Sequence, residues 1–166
     1  MKKLISICGS DSGDKKLSKN ALSISEEIGM LIAKKDGVIV CGGHGGVMEA
    51  ACKGAKSCGG ITVGIMPFEK DEANKYIDIA IPTGIGNIRN YLVASIGDVT
   101  IAIGGRWGTL NELSYRIILN KPLILIRGTG GSVDKIISND MFDNTYSNVF
   151  VVDSAKEAVD KAFELI

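Results

Sequence analysis

The residues best suited to chemistry lie close together in one segment, IGGRWGTLNEL, residues 103–113. Gly105 and Gly108 let a backbone approach a ligand, Thr109 offers a hydroxyl, Arg106 a positive charge and Glu112 a carboxylate. A glycine turn that opens a helix presents unpaired N–H groups at the positive end of the helix dipole, and together these hold a phosphate. Each side chain also has a plainer reading. Thr109 is a natural helix N-cap, and a glutamate in a first turn complements the dipole. Arg106 is either an extra contact to a strongly anionic ligand or an exposed loop residue. Trp107 either stacks on a base or pterin, or covers the core or an oligomer contact.

Three more glycine-bearing segments follow apolar runs: CGSDSGD (8–14), CGGHGG (41–46) and PTGIGNIRN (82–90). If all four meet at one edge of a sheet, they favour a nucleotide or phosphorylated ligand over four unrelated turns. Gly9, Ser10, Gly42, Gly43, Gly45 and Gly46 are the phosphate- or nucleotide-binding candidates from these segments, and Arg89 a phosphate or carboxylate partner. No complete GxGxxG follows the first apolar run, no acidic residue ends the second, and no GxxxxGK[ST] occurs, so NAD binding and ATP hydrolysis have no support. His44, the one histidine, sits beside Cys41 with only Cys8 as an obvious further ligand. It reads as a ligand-proximal or turn residue, and no metal or other cofactor is expected.

The elements that must position these residues alternate. Runs at 3–9, 37–43, 61–67, 99–105, 122–128 and 149–153 are almost continuously apolar, as strands buried on both faces are. A weaker strand at 78–84 carries Pro82, which favours a strand end or a sheet edge. Leu17, Ala21, Ile24, Ile28, Leu31 and Ile32 form one helical face, and further helices are expected near 47–57, 88–96, 109–120 and 154–165, the last capped by Ser154. Residues 68–76 read as a surface loop, and Asp98 as a cap. Alternation with short connections predicts one domain, 1–166, with a Rossmann-like, doubly wound, mostly parallel α/β sheet carrying helices on both faces.

Nineteen basic residues balance nineteen acidic ones, which disfavours nucleic acid as a partner. The four cysteines form no CxxC pair, and the apolar run at the N-terminus is too short for a signal or a membrane span, so a cytoplasmic protein is expected.

CGSDSG, CGGHGGVMEAACKGA, Arg89 nine residues before Asp98, and DVTIAIGGRWGTLNEL together resemble the Lonely Guy family of phosphoribohydrolases. That superfamily includes bacterial proteins once labelled lysine decarboxylases, the DNA-processing protein A group and molybdenum-cofactor carrier proteins. The resemblance implies cleavage of a nucleoside 5′-monophosphate to free base and ribose 5-phosphate, with Glu112 and Arg89 catalytic, Gly105, Gly108 and Thr109 on phosphate, and a homo-oligomer. The chain departs from the PGGxGTxEE and RK patterns at Gly104, Arg106, Asn111 and Asn90, and Glu49 stands where glycine is usual. These changes bring it nearer the carrier-like branch, which implies a non-enzymatic carrier of a nucleotide-like or pterin phosphate as the alternative.

Overall fold

The computed structural model describes residues 1–139 and 147–166. Seven strands form one parallel sheet in the order β4-β3-β2-β1-β5-β6-β7. They are β1 (Leu4–Gly9), β2 (Val38–Cys41), β3 (Ile61–Met66), β4 (Ile79–Pro82), β5 (Val99–Ile103), β6 (Leu123–Ile126) and β7 (Val149–Val152). Every residue of β2, β5 and β6 is buried, because helices cover both faces of the sheet. Pro82 ends β4, which lies on the sheet edge, where a missing N–H costs no ladder bond.

Helices α1 (Lys19–Lys34), α2 (Val47–Ser57) and α6 (Ala155–Glu164) supply the larger core with Ile5, Ile7, Ile39, Ile101 and Ile124 of the sheet. Across the sheet, α3 (Asn90–Ile96), α4 (Trp107–Ile118) and α5 (Gly131–Ser138) pack in turn on Cys8, Val40, Ala102, Leu123 and Leu125. Ser154 caps α6 as expected, accepting from Glu157 N at 3.2 Å. Residues 68–76 contain one short 3-10 turn, Lys70–Glu72.

Some local expectations change. α4 begins at Trp107, two residues ahead of the expected start, so its N-cap is Arg106 and Thr109 is the third helical residue. Asp98 caps no helix: its Oδ2 accepts from Leu4 N at 2.8 Å and fixes the start of β1. The segment 88–96 divides into a 3-10 turn, Gly86–Arg89, and α3. Helix α5 has no counterpart in the sequence reading, since eight residues hold too few apolar repeats to show a period.

One buried cation holds the α3, β5 and β6 side together. Arg116 donates to the carbonyls of Ala94, Gly97, Asp98 and Pro122 at 2.7 to 3.2 Å. With its donors occupied by carbonyls, the burial cost of its charge is largely offset.

Successive strands β1 to β4 build the sheet in one direction, and β5 returns to the other side of β1. Ligands in such sheets bind beyond the carboxyl ends of the strands, where the order reverses. Here that place lies beyond Gly9 and Ile103, which are paired in register.

Candidate functional site

A cavity of about 520 Å³ opens at that place. Gly9, Ser10, Arg89, Arg106, Gly108, Thr109 and Glu112, all candidates from the sequence, line it. So do Asp11, Gly13, Asp14, His44, Met48, Asn87, Asn90, Trp107 and Asn111. Asp11, Asp14 and Asn87 were not anticipated as site residues. The two aspartates were visible inside the glycine segment after β1, but only the fold shows that this loop faces α4.

Gly42, Gly43, Gly45, Gly46 and Gly105 stand behind the wall and shape it. A Cβ on Gly42 would overlap the Arg89 guanidinium, so this glycine is the bed on which Arg89 lies. Gly105 has φ +93°, where any side chain is strained, and a Cβ there would run into Thr109. Its N–H is already given to Ser10 Oγ at 2.7 Å, and Gly104 N donates to Thr129 Oγ1 at 2.9 Å. Gly104 and Gly105 thus form the hinge that aims α4, and the ligand-facing donors come from further along the chain. Their carbonyls receive Val133 N at 3.0 Å and Ser132 N at 2.8 Å, so the loop after β6 clamps the turn. Gly104 has φ +62°, a conformation closed to the proline of the resembled pattern.

The donors available to a ligand are the N–H groups of Trp107, Gly108 and Thr109, the first turn of α4, which have no backbone acceptor among the described residues. Arg89 adds a second set. Its side chain is buried, with Nε and Nη1 lacking a hydrogen-bond partner among the described residues. Two orphaned guanidinium donors cost free energy unless a ligand accepts from them. Arg89 and the first turn of α4 line the same cavity.

Glu112 lies one turn further along α4, 7% exposed. Burial pushes its carboxyl up to about 7, while the Arg89 charge and the Cys8 thiol, which hydrogen-bonds to it, pull the other way. The Cys8 thiol is itself raised, by burial and by the adjacent carboxylate. Asp14 behaves differently. Burial acts against its charged form, but the Lys16 N–H, the Ser10 hydroxyl and the Arg106 charge bring it below its ordinary value.

Two departures from the resembled pattern touch each other. Asn90 Nδ2 donates to Asn111 Oδ1 at 3.1 Å, so the positions of the missing lysine and the missing glutamate are joined by a neutral amide pair. Cys41 and Cys52 are buried with sulfurs 3.7 Å apart, and among the described residues no group of His, Cys, Asp and Glu has metal-site geometry.

Fold and site together define a Rossmann-like α/β protein with a buried acid beside a helix start whose first N–H groups are free of backbone acceptors among the described residues. A model of the SLOG cluster4 family matches residues 2–159, and the chain belongs to that family. It is 29% identical over 156 residues to a Mycobacterium tuberculosis protein named cytokinin riboside 5′-monophosphate phosphoribohydrolase, covering 83% of each chain. The molybdenum cofactor binding protein of the phototrophic bacterium Rippkaea orientalis superposes with a TM-score of 0.88 at 32% identity, over 99% of this chain and 98% of that one. The molybdenum cofactor carrier protein of Chlamydomonas reinhardtii follows with a TM-score of 0.84 at 30% identity, over 99% and 98%. The resemblance read from the glycine segments and Glu112 is borne out at the level of the family.

Proposed function

We propose that the protein binds a nucleoside 5′-monophosphate in this cavity and cleaves its N-glycosidic bond, giving free base and ribose 5-phosphate. The observation that carries the reading is Glu112, buried with its carboxyl near 7 beside Arg89. Cleavage builds positive charge on the ribose and requires a water to lose a proton. A carboxylate titrating near neutrality serves both needs. In this reading Arg89 and the free N–H groups of α4 hold the phosphate, and Thr109 adds its hydroxyl. Arg106 at the mouth tunes ligand choice.

The test is chromatography of AMP, GMP, CMP, UMP and IMP after incubation with the protein. Base release is expected from at least one of them. Glu112→Ala is expected to lower the rate about 10²-fold or more while binding changes little. Turnover unaffected by the substitution overturns the reading.

A second reading is favoured by the neutral Asn90–Asn111 pair, which stands where the resembled enzymes carry charge, and by the two relatives named for the molybdenum cofactor. There the protein is a carrier of a pterin phosphate, and the same donors hold its phosphate. No base release, with a pterin found by absorbance and mass spectrometry in gently isolated protein, selects it.

The protein is further proposed to form a homo-oligomer through the outer face of α3 and α4. Four free thiols accord with a reducing, cytoplasmic setting. Among the described residues no helix is long and apolar enough to cross a membrane.

A further inference from the structure

Glycosidic cleavage has a second requirement that neither Glu112 nor Arg89 meets: the departing base must receive a proton. The cavity lining offers a group for this. His44 lies in the β2–α2 loop and lines the same wall system as Glu112. Its Nδ1 is 3.4 Å from Asp11 Oδ2, and Asp11 also lines the cavity. Glu72 Oε2 stands 4.0 Å from Nε2, outside hydrogen-bond range.

The placement is built by the fold. The β2–α2 loop interlocks with the loop after β1: a Cβ on Gly45 would meet Ser12 Oγ at 2.6 Å, and one on Gly46 would overlap the Ser10 carbonyl. Asn74 then fixes the loop by donating from Nδ2 to the carbonyls of Gly43 at 3.1 Å and His44 at 2.8 Å. His44 is thereby brought against Asp11 with its backbone immobilised. Because β2 and β5 both pair with β1, their ends lie about 10 Å apart. The β2–α2 loop and the start of α4 both line the cavity, so a nucleotide whose 5′-phosphate sits at α4 can extend toward His44.

We propose that His44, with the Asp11 carboxylate beside its Nδ1, is the general acid that protonates the leaving base. The assignment rests on the cleavage reading above. The C1′–N bond breaks with its electron pair passing to the base, and a base ring nitrogen takes the proton from His44 Nε2. Water adds to C1′ and gives a proton to Glu112. Solvent returns that proton and recharges His44, so one water is consumed per base released.

The experiment compares two substrates that differ only in what leaves. One is whichever nucleoside 5′-monophosphate the protein cleaves best, and the other is 4-nitrophenyl ribofuranoside 5′-phosphate, whose nitrophenolate departs without a proton. His44→Ala is expected to slow the nucleotide about 10²-fold or more but the nitrophenyl substrate only a few-fold, with Asp11→Asn showing the same asymmetry more weakly. Affinity for ribose 5-phosphate, which lacks the base, is expected to be unchanged in His44→Ala and reports that the phosphate end is intact. Equal losses on both substrates, or no loss on the nucleotide, overturn the role of His44 while the cleavage reading stands. A wild-type protein that releases neither base nor nitrophenolate overturns the cleavage reading, and the proposal with it.

Discussion

Glu112 carries a cost that can be measured without any substrate. Its carboxyl, about 7 in the fold and near 4.5 when exposed, binds more protons folded than unfolded between those values. Stability from this group is therefore complete below about pH 4.5 and is lost as pH rises through about 7. At 1.36 kcal/mol per unit, the loss is about 3 kcal/mol. Glu112→Gln removes the titrating charge, so it is expected to match the wild type near pH 4.5 and to exceed it by up to about 3 kcal/mol at pH 8. Denaturant melts across that range check it, and a constant difference at every pH contradicts the assignment. A stabilised but inactive variant is what a strained functional carboxylate predicts. Glu112 and Arg89 could be singled out in the sequence because they match the charged residues of the resembled family's motifs. Their burial and the orphaned donors of Arg89 could not; Arg89, for one, lies against Gly42, forty-seven positions away in the chain.

At the level of elements, the start of α4 governs the site. The helix begins at Trp107 rather than Thr109 because the positive-φ pair Gly104 and Gly105 turns the chain early and the loop after β6 receives their carbonyls. A sequence pattern read locally favours Thr109 as the cap. The competing bonds come from Ser10, Thr129, Ser132 and Val133, all of them more than twenty positions from the turn in the chain. Thr129 is the most exacting of these. It is buried, accepts from the Gly104 N–H and donates its own O–H to the Ile126 carbonyl at 2.7 Å. Thr129→Val keeps the shape and strands the Gly104 N–H, at an expected cost of about 1–3 kcal/mol. Because the turn aims the α4 donors, affinity for ribose 5-phosphate is expected to fall alongside stability. Calorimetric titration and a thermal melt on the same sample measure both, and an unaltered affinity contradicts the clamp.

For the molecule as a whole, one sheet brings four glycine-bearing strand ends to a single edge, and the reversal of strand order at β1 and β5 opens the cavity there. Beside the cavity mouth the surface turns apolar. Ile88 is 70%, Trp107 80% and Ile118 75% exposed, with Tyr91 and Tyr115 packed edge to face between α3 and α4 at 5.3 Å. Large apolar side chains gathered on one face mark an interaction surface, and a self-complementary patch closes a two-fold dimer. Light scattering coupled to size exclusion is expected to give a dimer for the wild type and a monomer for Ile118→Asp. A wild-type monomer, or a dimer indifferent to the substitution, contradicts that interface.

Periodicity and glycine punctuation were enough to read the order of the strands, every helix but α5, the parallel sheet and the edge where the glycine-bearing strand ends meet, because each is a local pattern repeated along the chain. The partners of the site residues were not readable in that way. Asp11 faces His44, Asn90 faces Asn111, Ser10 holds Gly105 and Cys8 meets Glu112. Each of these pairs joins different strand ends, so its distance follows from sheet order and helix start. Burial, which raises the Glu112 carboxyl and leaves two Arg89 donors unpaired, is likewise a property of the packed whole.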